Sequence, residues 1–103
     1  MAFADKLVGL PTADHVLRVE LTGADGAIET IENKPGSAGS VRLYAYLVGK
    51  HGVLDVAAAA EGLVLYAEHT EDARANPGKH PNIDRLLRVA AGTGGYAVRL
   101  YSA

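Results

Sequence analysis

Cysteine and tryptophan are missing from this chain of 103 residues, and phenylalanine occurs once. Without cysteine there are no disulfides, no thiolate nucleophile and no thiolate-bound zinc, a pattern expected of a protein kept in a reducing cytoplasm. Nowhere do eighteen apolar residues run together, so a membrane-spanning helix is not expected. The opening residues, MAFADKLVGLP, carry Asp5 and no apolar stretch of signal-peptide length. An excess of either charge is lacking too. Ten basic and twelve acidic residues leave a formal charge of −2, which offers no general attraction to nucleic-acid phosphates or anionic lipids. The five tyrosines are not interleaved with a basic stripe, so neither nucleic acid nor membrane is an expected partner.

What is present suits one domain over residues 1–103. The chain is long enough for one core, and 49% apolar residues can offset the entropy of ordering it. Much of that content is alanine, so the core should be modest. A short helix is expected from Ala2 to Gly9, stopped by Gly9 and Pro11. From His15 to Thr22 the period changes to two. Leu17, Val19 and Leu21 are expected inside, and Arg18, Glu20 and Thr22 outside. Asp25-Gly26 offers the positive φ angles of a hairpin turn. Ala27 to Glu32 returns as a poorer strand, with Ile28 and Ile31 out of phase, which suggests a bulge or an edge position.

Asn33 to Ser40 (NKPGSAGS) reads as a loop, with Pro35-Gly36 in a type II turn and Ser40 as N-cap of a helix from Val41 to Lys50. Asp55 can cap a long helix from Val56 through Ala75, buried along Val56, Ala60, Leu63 and Ala67. A competing reading ends that helix at Gly62 and makes Leu63 to Ala67 a strand. Asn76 to Asn82 (NPGKHPN) is a second Pro-Gly loop, and Pro81 opens a helix through Ala91. Gly92 to Gly95 interrupt, and Tyr96 to Tyr101 alternate as a last strand. The fold class is therefore α+β: a small antiparallel sheet of about three strands, the N-terminal hairpin plus the C-terminal strand, with helices packed on one face.

Two groups of residues stand out chemically. In AEHTEDAR, Ala67 to Arg74, an unbroken helix would stack Glu68 and Asp72 one turn apart near a helix C-terminus, which both repulsion and the dipole oppose. Either the helix breaks at His69 with Thr70 capping a new turn, or a cation sits among His69, Asp72, His80 and Asp84, with Glu68 in reach. Zinc or manganese would suit such mixed ligands, although the spacing matches neither H-E-x-x-H nor an EF-hand. The second group is the pair of Pro-Gly loops, each leading into a helix N-terminus where free N–H groups attract anions. Lys34, Ser37 and Ser40 on one, Lys79 and His80 on the other, and Arg85 and Arg88 nearby would suit a phosphate or carboxylate. No P-loop and no G-x-S-x-G motif occurs. His15 reads as a solvated strand end and His51 as support for a helix end.

The strings AEHTEDARANPGKHPNIDRL, Ala67 to Leu86, and NKPGS, Asn33 to Ser37, resemble a proteobacterial family of proteins of about this length, classed as a domain of unknown function. The resemblance implies a bacterial cytosolic source and attaches no catalytic residues. Three functions follow as expectations. The first is a non-enzymatic binding or accessory module acting through contacts with a protein partner or as a homodimer. The second is binding of a small anionic ligand at the loops. The third is a metal-dependent hydrolase or lyase using His69, Asp72 and His80.

Overall fold

Hydrophobic alternation, caps and turn residues place eight elements along the chain. The computed structural model describes residues 2–102. They run α1 (Phe3–Val8), β1 (Val16–Gly23), β2 (Ile28–Glu32), α2 (Ala38–His51), α3 (Val56–Tyr66), α4 (Glu68–Ala75), α5 (Pro81–Ala90) and β3 (Tyr96–Ser102). The strands form one antiparallel sheet in the order β2-β1-β3. Helices cover the face that carries Val19, Leu21 and Ile31, all buried. The expected α+β architecture, hairpin plus C-terminal strand, is the one observed.

Several local expectations change. The irregularity lies in β1, not β2: the pairing with β3 shifts between Val16 and Arg18. That bulge turns Leu17 outward, 50% exposed, and buries Val16 in its place. β2 pairs with β1 in regular register as an edge strand, so Ile28 is exposed and Glu29, opposite Leu21, shares the covered face with Ile31. In the hairpin turn only Gly26 takes positive φ; Asp25 instead accepts the Ala27 N–H at 3.0 Å.

α2 begins three residues before the expected Val41. Ser37, not Ser40, occupies its N-cap position, and its hydroxyl donates to the carbonyls of Glu32 and Lys34. Both Pro-Gly loops do make type II turns. Gly36 and Gly78 have φ of 94° and 91°, and the Ser37 and Lys79 N–H groups close onto the Lys34 and Asn76 carbonyls. Gly52, at φ 80°, ends α2, and the Asp55 side chain caps α3 through the Ala58 N–H at 2.9 Å.

The long helix expected from Val56 to Ala75 is two helices. The chain breaks at Ala67, which takes φ 53° and ψ −120°, the one positive φ among described non-glycine residues. α3 also buries a different stripe: Ala58, Ala59, Gly62 and Tyr66 face inward, while Val56 and Val64 are exposed. An alanine-rich helix that is apolar all round gives periodicity little to choose from. Gly62 decides the face. A Cβ there would lie 2.7 Å from Leu86 Cδ1 and 2.9 Å from Leu47 Cδ1, so any larger residue would have to push both buried leucine tips aside.

Candidate functional site

The break at Ala67 resolves the acidic stretch. Glu68 and Glu71 now occupy the first turn of α4, where the helix dipole favours them. Glu68 reaches α1 and accepts the Phe3 N–H at 2.7 Å, which holds its carboxyl below the usual range. Thr70 does not cap a new turn. It is buried, and its hydroxyl donates to the Leu63 carbonyl at 2.6 Å, stitching α4 to the end of α3.

Asp72, one turn after Glu68 on α4, faces the second Pro-Gly loop. Its Oδ2 lies 2.6 Å from His80 Nε2 and 2.9 Å from Lys79 Nζ. Asn76 Nδ2 donates to its Oδ1 at 3.0 Å. The His80 bond, then the Lys79 bond, hold the Asp72 carboxyl down at about 2. Asp84 points elsewhere and accepts the Gly78 N–H at 2.9 Å, pinning the loop to the first turn of α5. Of the four expected metal ligands, then, Asp72 and His80 are in contact. His69 sits edge-on to Phe3 with its ring 5.9 Å from that of His80, and Asp84 is committed to backbone. Among the described residues no three histidine, aspartate or glutamate side chains are grouped as metal ligands.

The two Pro-Gly loops do converge. A cavity of about 460 Å³ opens between the start of α2 (residues 36 and 38–40) and the start of α5 (residues 79–83), with Phe3, Tyr66 and His69 completing its wall. Its chemistry is two-sided. Phe3 and Tyr66 stack with centroids 5.2 Å apart and supply an aromatic floor. Ser40, Lys79, His69 and His80 supply polar groups at the rim. The Tyr66 hydroxyl donates to Ser40 Oγ at 2.7 Å, leaving the Ser40 hydroxyl hydrogen free to point elsewhere. Burial pushes the Tyr66 hydroxyl far above its ordinary range, so it remains a neutral donor.

Four of the residues expected to bind an anion, Lys34, Ser37, Arg85 and Arg88, lie outside this cavity. Lys34 is exposed and absent from the wall, and Ser37 is spent on backbone carbonyls. Arg85 is buried, its side chain 5% exposed. It bonds Glu29 through Nε and Nη2 at 2.9 Å, the Tyr44 hydroxyl at 3.0 Å and Asn82 Oδ1 at 3.1 Å. The Tyr44 hydroxyl, pushed up to about 12 by burial, donates in turn to the Asn82 carbonyl. Arg85 thus ties β2, α2 and the first turn of α5 together under the cavity rather than lining it.

Phe3, Tyr66 and Asn82 escaped the sequence reading. Local pattern contains no signal that brings Phe3 to the second loop; the Glu68 bond and the stacking on Tyr66 do so in three dimensions.

The family DUF2322, described as an uncharacterized protein conserved in bacteria, matches residues 3–100. The chain belongs to this family. No curated protein and no solved structure matches the chain. The match spans every element that walls the cavity, from Phe3 through α5, so the cavity lies wholly within the family's extent. Among the described residues no helix is long and apolar enough to cross a membrane.

Proposed function

We propose that this chain is a non-enzymatic binding module of the bacterial cytoplasm, and that its cavity takes a small organic anion, a carboxylate or phosphate carried on an apolar body. The observation that supports this most is the meeting of two helix starts, α2 and α5, around one cavity that also holds Lys79, His69, His80 and Ser40. At these two starts Ala38 and Ile83 spend their N–H groups on the Lys34 and His80 carbonyls and Pro81 has none, which leaves the Gly39, Ser40 and Asn82 N–H groups for a negative charge. Lys79 adds an ammonium at the rim, which Asp72 holds in place while two of its three donors remain for a ligand. The aromatic floor of Phe3 and Tyr66 suits the apolar part of such a ligand.

A thermal-shift panel of carboxylate and phosphate metabolites tests this. A ligand at a hundred times its Kd stabilises the fold by about 2.7 kcal/mol, and each kcal/mol raises Tm by about 4–8 °C in a domain of this size. Lys79→Ala should abolish the shift, and Lys34→Ala should leave it intact. A panel without a shift, or a shift indifferent to Lys79→Ala, would sink the reading. A second reading, contact with another protein chain, rests on a different part of the fold, the outer edge of β3.

A further inference from the structure

β3 ends the sheet, and its outer edge is only partly used. Tyr96 spends both backbone groups outside the sheet: the Leu54 N–H donates to its carbonyl at 3.0 Å, and its own N–H donates to the Leu54 carbonyl at 2.9 Å. Alternate residues of a strand send N–H and C=O to the same side. Val98 and Leu100 therefore project theirs from this edge, where no other described residue bonds them. The devices that usually blunt such an edge are missing. β3 has seven residues, no proline, and its one charged side chain, Arg99, rises from the uncovered face of the sheet. Beneath the end of the strand a groove of about 410 Å³ runs between Leu100 and α2, walled by Pro11, Ala13, Val16, Ala45 and Tyr46.

We propose that a second copy of this chain pairs with that edge, β3 against β3, antiparallel about a twofold axis at Leu100. The free backbone groups permit few registers. Centred on Leu100, the pairing sets Val98 opposite the partner's Ser102 and Arg99 opposite the partner's Tyr101. The second contact falls at a non-hydrogen-bonded position, where side chains approach closest, and the twofold axis makes it twice. Tyr101 already accepts cations on its ring, with Arg18 at 4.0 Å and Arg99 of its own strand at 4.9 Å. The neighbouring register, centred on Arg99, opposes two like charges. The next, centred on Val98, needs the Tyr96 groups that Leu54 occupies. A register centred on Tyr101 would pair only residues 100–102 of the strand, against residues 98–102 when centred on Leu100. The longer pairing is the favoured one, and it places the paired Leu100 side chains over the apolar groove. A self-complementary strand selects a second copy over an unrelated peptide, because both halves of the Arg–Tyr contact lie on β3.

Light scattering or sedimentation of the full chain should give twice its 10.7 kDa mass at micromolar concentration. Because the chain has no cysteine, an L100C variant reports the register. Opposed Cα atoms at hydrogen-bonded positions lie about 5.5 Å apart, within disulfide reach. Mild oxidation should link L100C dimers at least tenfold faster than R99C. R99E, altering an exposed side chain, should keep the far-UV circular dichroism and weaken dimerisation at least tenfold. V64E, on the exposed stripe of α3, should leave the mass unchanged. A monomer at all concentrations to about 200 μM overturns the proposal, as does dissociation by V64E instead of R99E, or R99C linking as fast as L100C.

Discussion

Glu29→Ala should destabilise the protein more than Arg85→Met does. The guanidinium of Arg85 is almost wholly buried, and Glu29 is the anion that answers it, through two contacts at 2.9 Å. Its other partners, Tyr44 and Asn82, are neutral acceptors. Removing one member of a fully buried pair costs about 3–5 kcal/mol, because the remaining charge is stranded. Glu29 is 36% exposed, so some water reaches the vacated space, and the loss falls to about 2–3 kcal/mol. Part of it is the Tyr96 hydroxyl bond to Glu29 Oε2 at 2.8 Å, a neutral-to-charged bond worth about 1.5 kcal/mol or more. Arg85→Met removes the buried charge and leaves Glu29 to solvent, so it should cost under about 1 kcal/mol. Urea unfolding followed by circular dichroism measures both, as a change in midpoint at constant m. Glu29→Ala should lower Tm by about 10–20 °C. If Arg85→Met proves the more damaging of the two, or Glu29→Ala costs less than about 0.5 kcal/mol, the stranded buried charge is not what sets the loss.

Three further outcomes follow from backbone and charge. Ala67→Gly should stabilise by about 0.5–1 kcal/mol, since φ 53° with ψ −120° strains any side chain and glycine removes the strain at some entropic cost; a lower urea midpoint would count against it. Gly95→Ala should destabilise by about 1–3 kcal/mol, because its Cβ would run into the Leu54 carbonyl oxygen and part the Leu54–Tyr96 bridge; amide exchange at Tyr96 should accelerate with it. Acid should act through Asp72 and Glu61, both held near 2 against ordinary values of 3.8 and 4.5, Glu61 by the bond from His51 with help from Lys50 and Tyr46. Depressed carboxyls contribute fully above their unfolded values, and that contribution is lost as pH falls from about 4.5 through about 2. In melts across that window Glu61→Gln should flatten the slope, and an unchanged slope would refute the assignment.

Elements with their own local signals were legible in the sequence. β1, the type II turns, the Asp55 cap, the Pro81 start and the alternation of β3 each depend on residues within a few positions of one another. Three features were not. The bulge at Leu17 arises from pairing with β3 at the far end of the chain. The inward turn of Glu29 makes sense only with Arg85 beneath it. The buried stripe of α3 is chosen by Gly62 against Leu47 and Leu86, on two other helices. The loops were recognised as a pair with anion-binding chemistry, and Ser40, Lys79 and His80 do meet at one cavity. Lys34 and Arg85 look equivalent to Lys79 in a list of charges. Only burial and register separate a solvated lysine, a structural guanidinium and a side chain on the cavity wall.

The acidic stretch that violated helix rules in sequence is what makes the cavity. Had Val56 to Ala75 been one helix, Glu68, Glu71 and Asp72 would have lain near its C-terminal end, where the dipole opposes acids. The chain instead takes a strained alanine at 67 and starts a new helix there; Glu68 and Asp72 stay one turn apart on α4, but Glu68 and Glu71 now fall in its first turn, where the dipole favours them. Glu68 pulls Phe3 in to stack on Tyr66, forming one wall; Asp72 holds Lys79 and His80, forming the other. Backbone strain of one to three kcal/mol is maintained only where surrounding contacts over-determine it, and here those contacts surround a cavity. The strain at Ala67, the two carboxylates and the cavity between them are therefore one feature. Ala67→Gly, which frees the backbone, should leave the fold more stable and the anion-dependent thermal shift smaller.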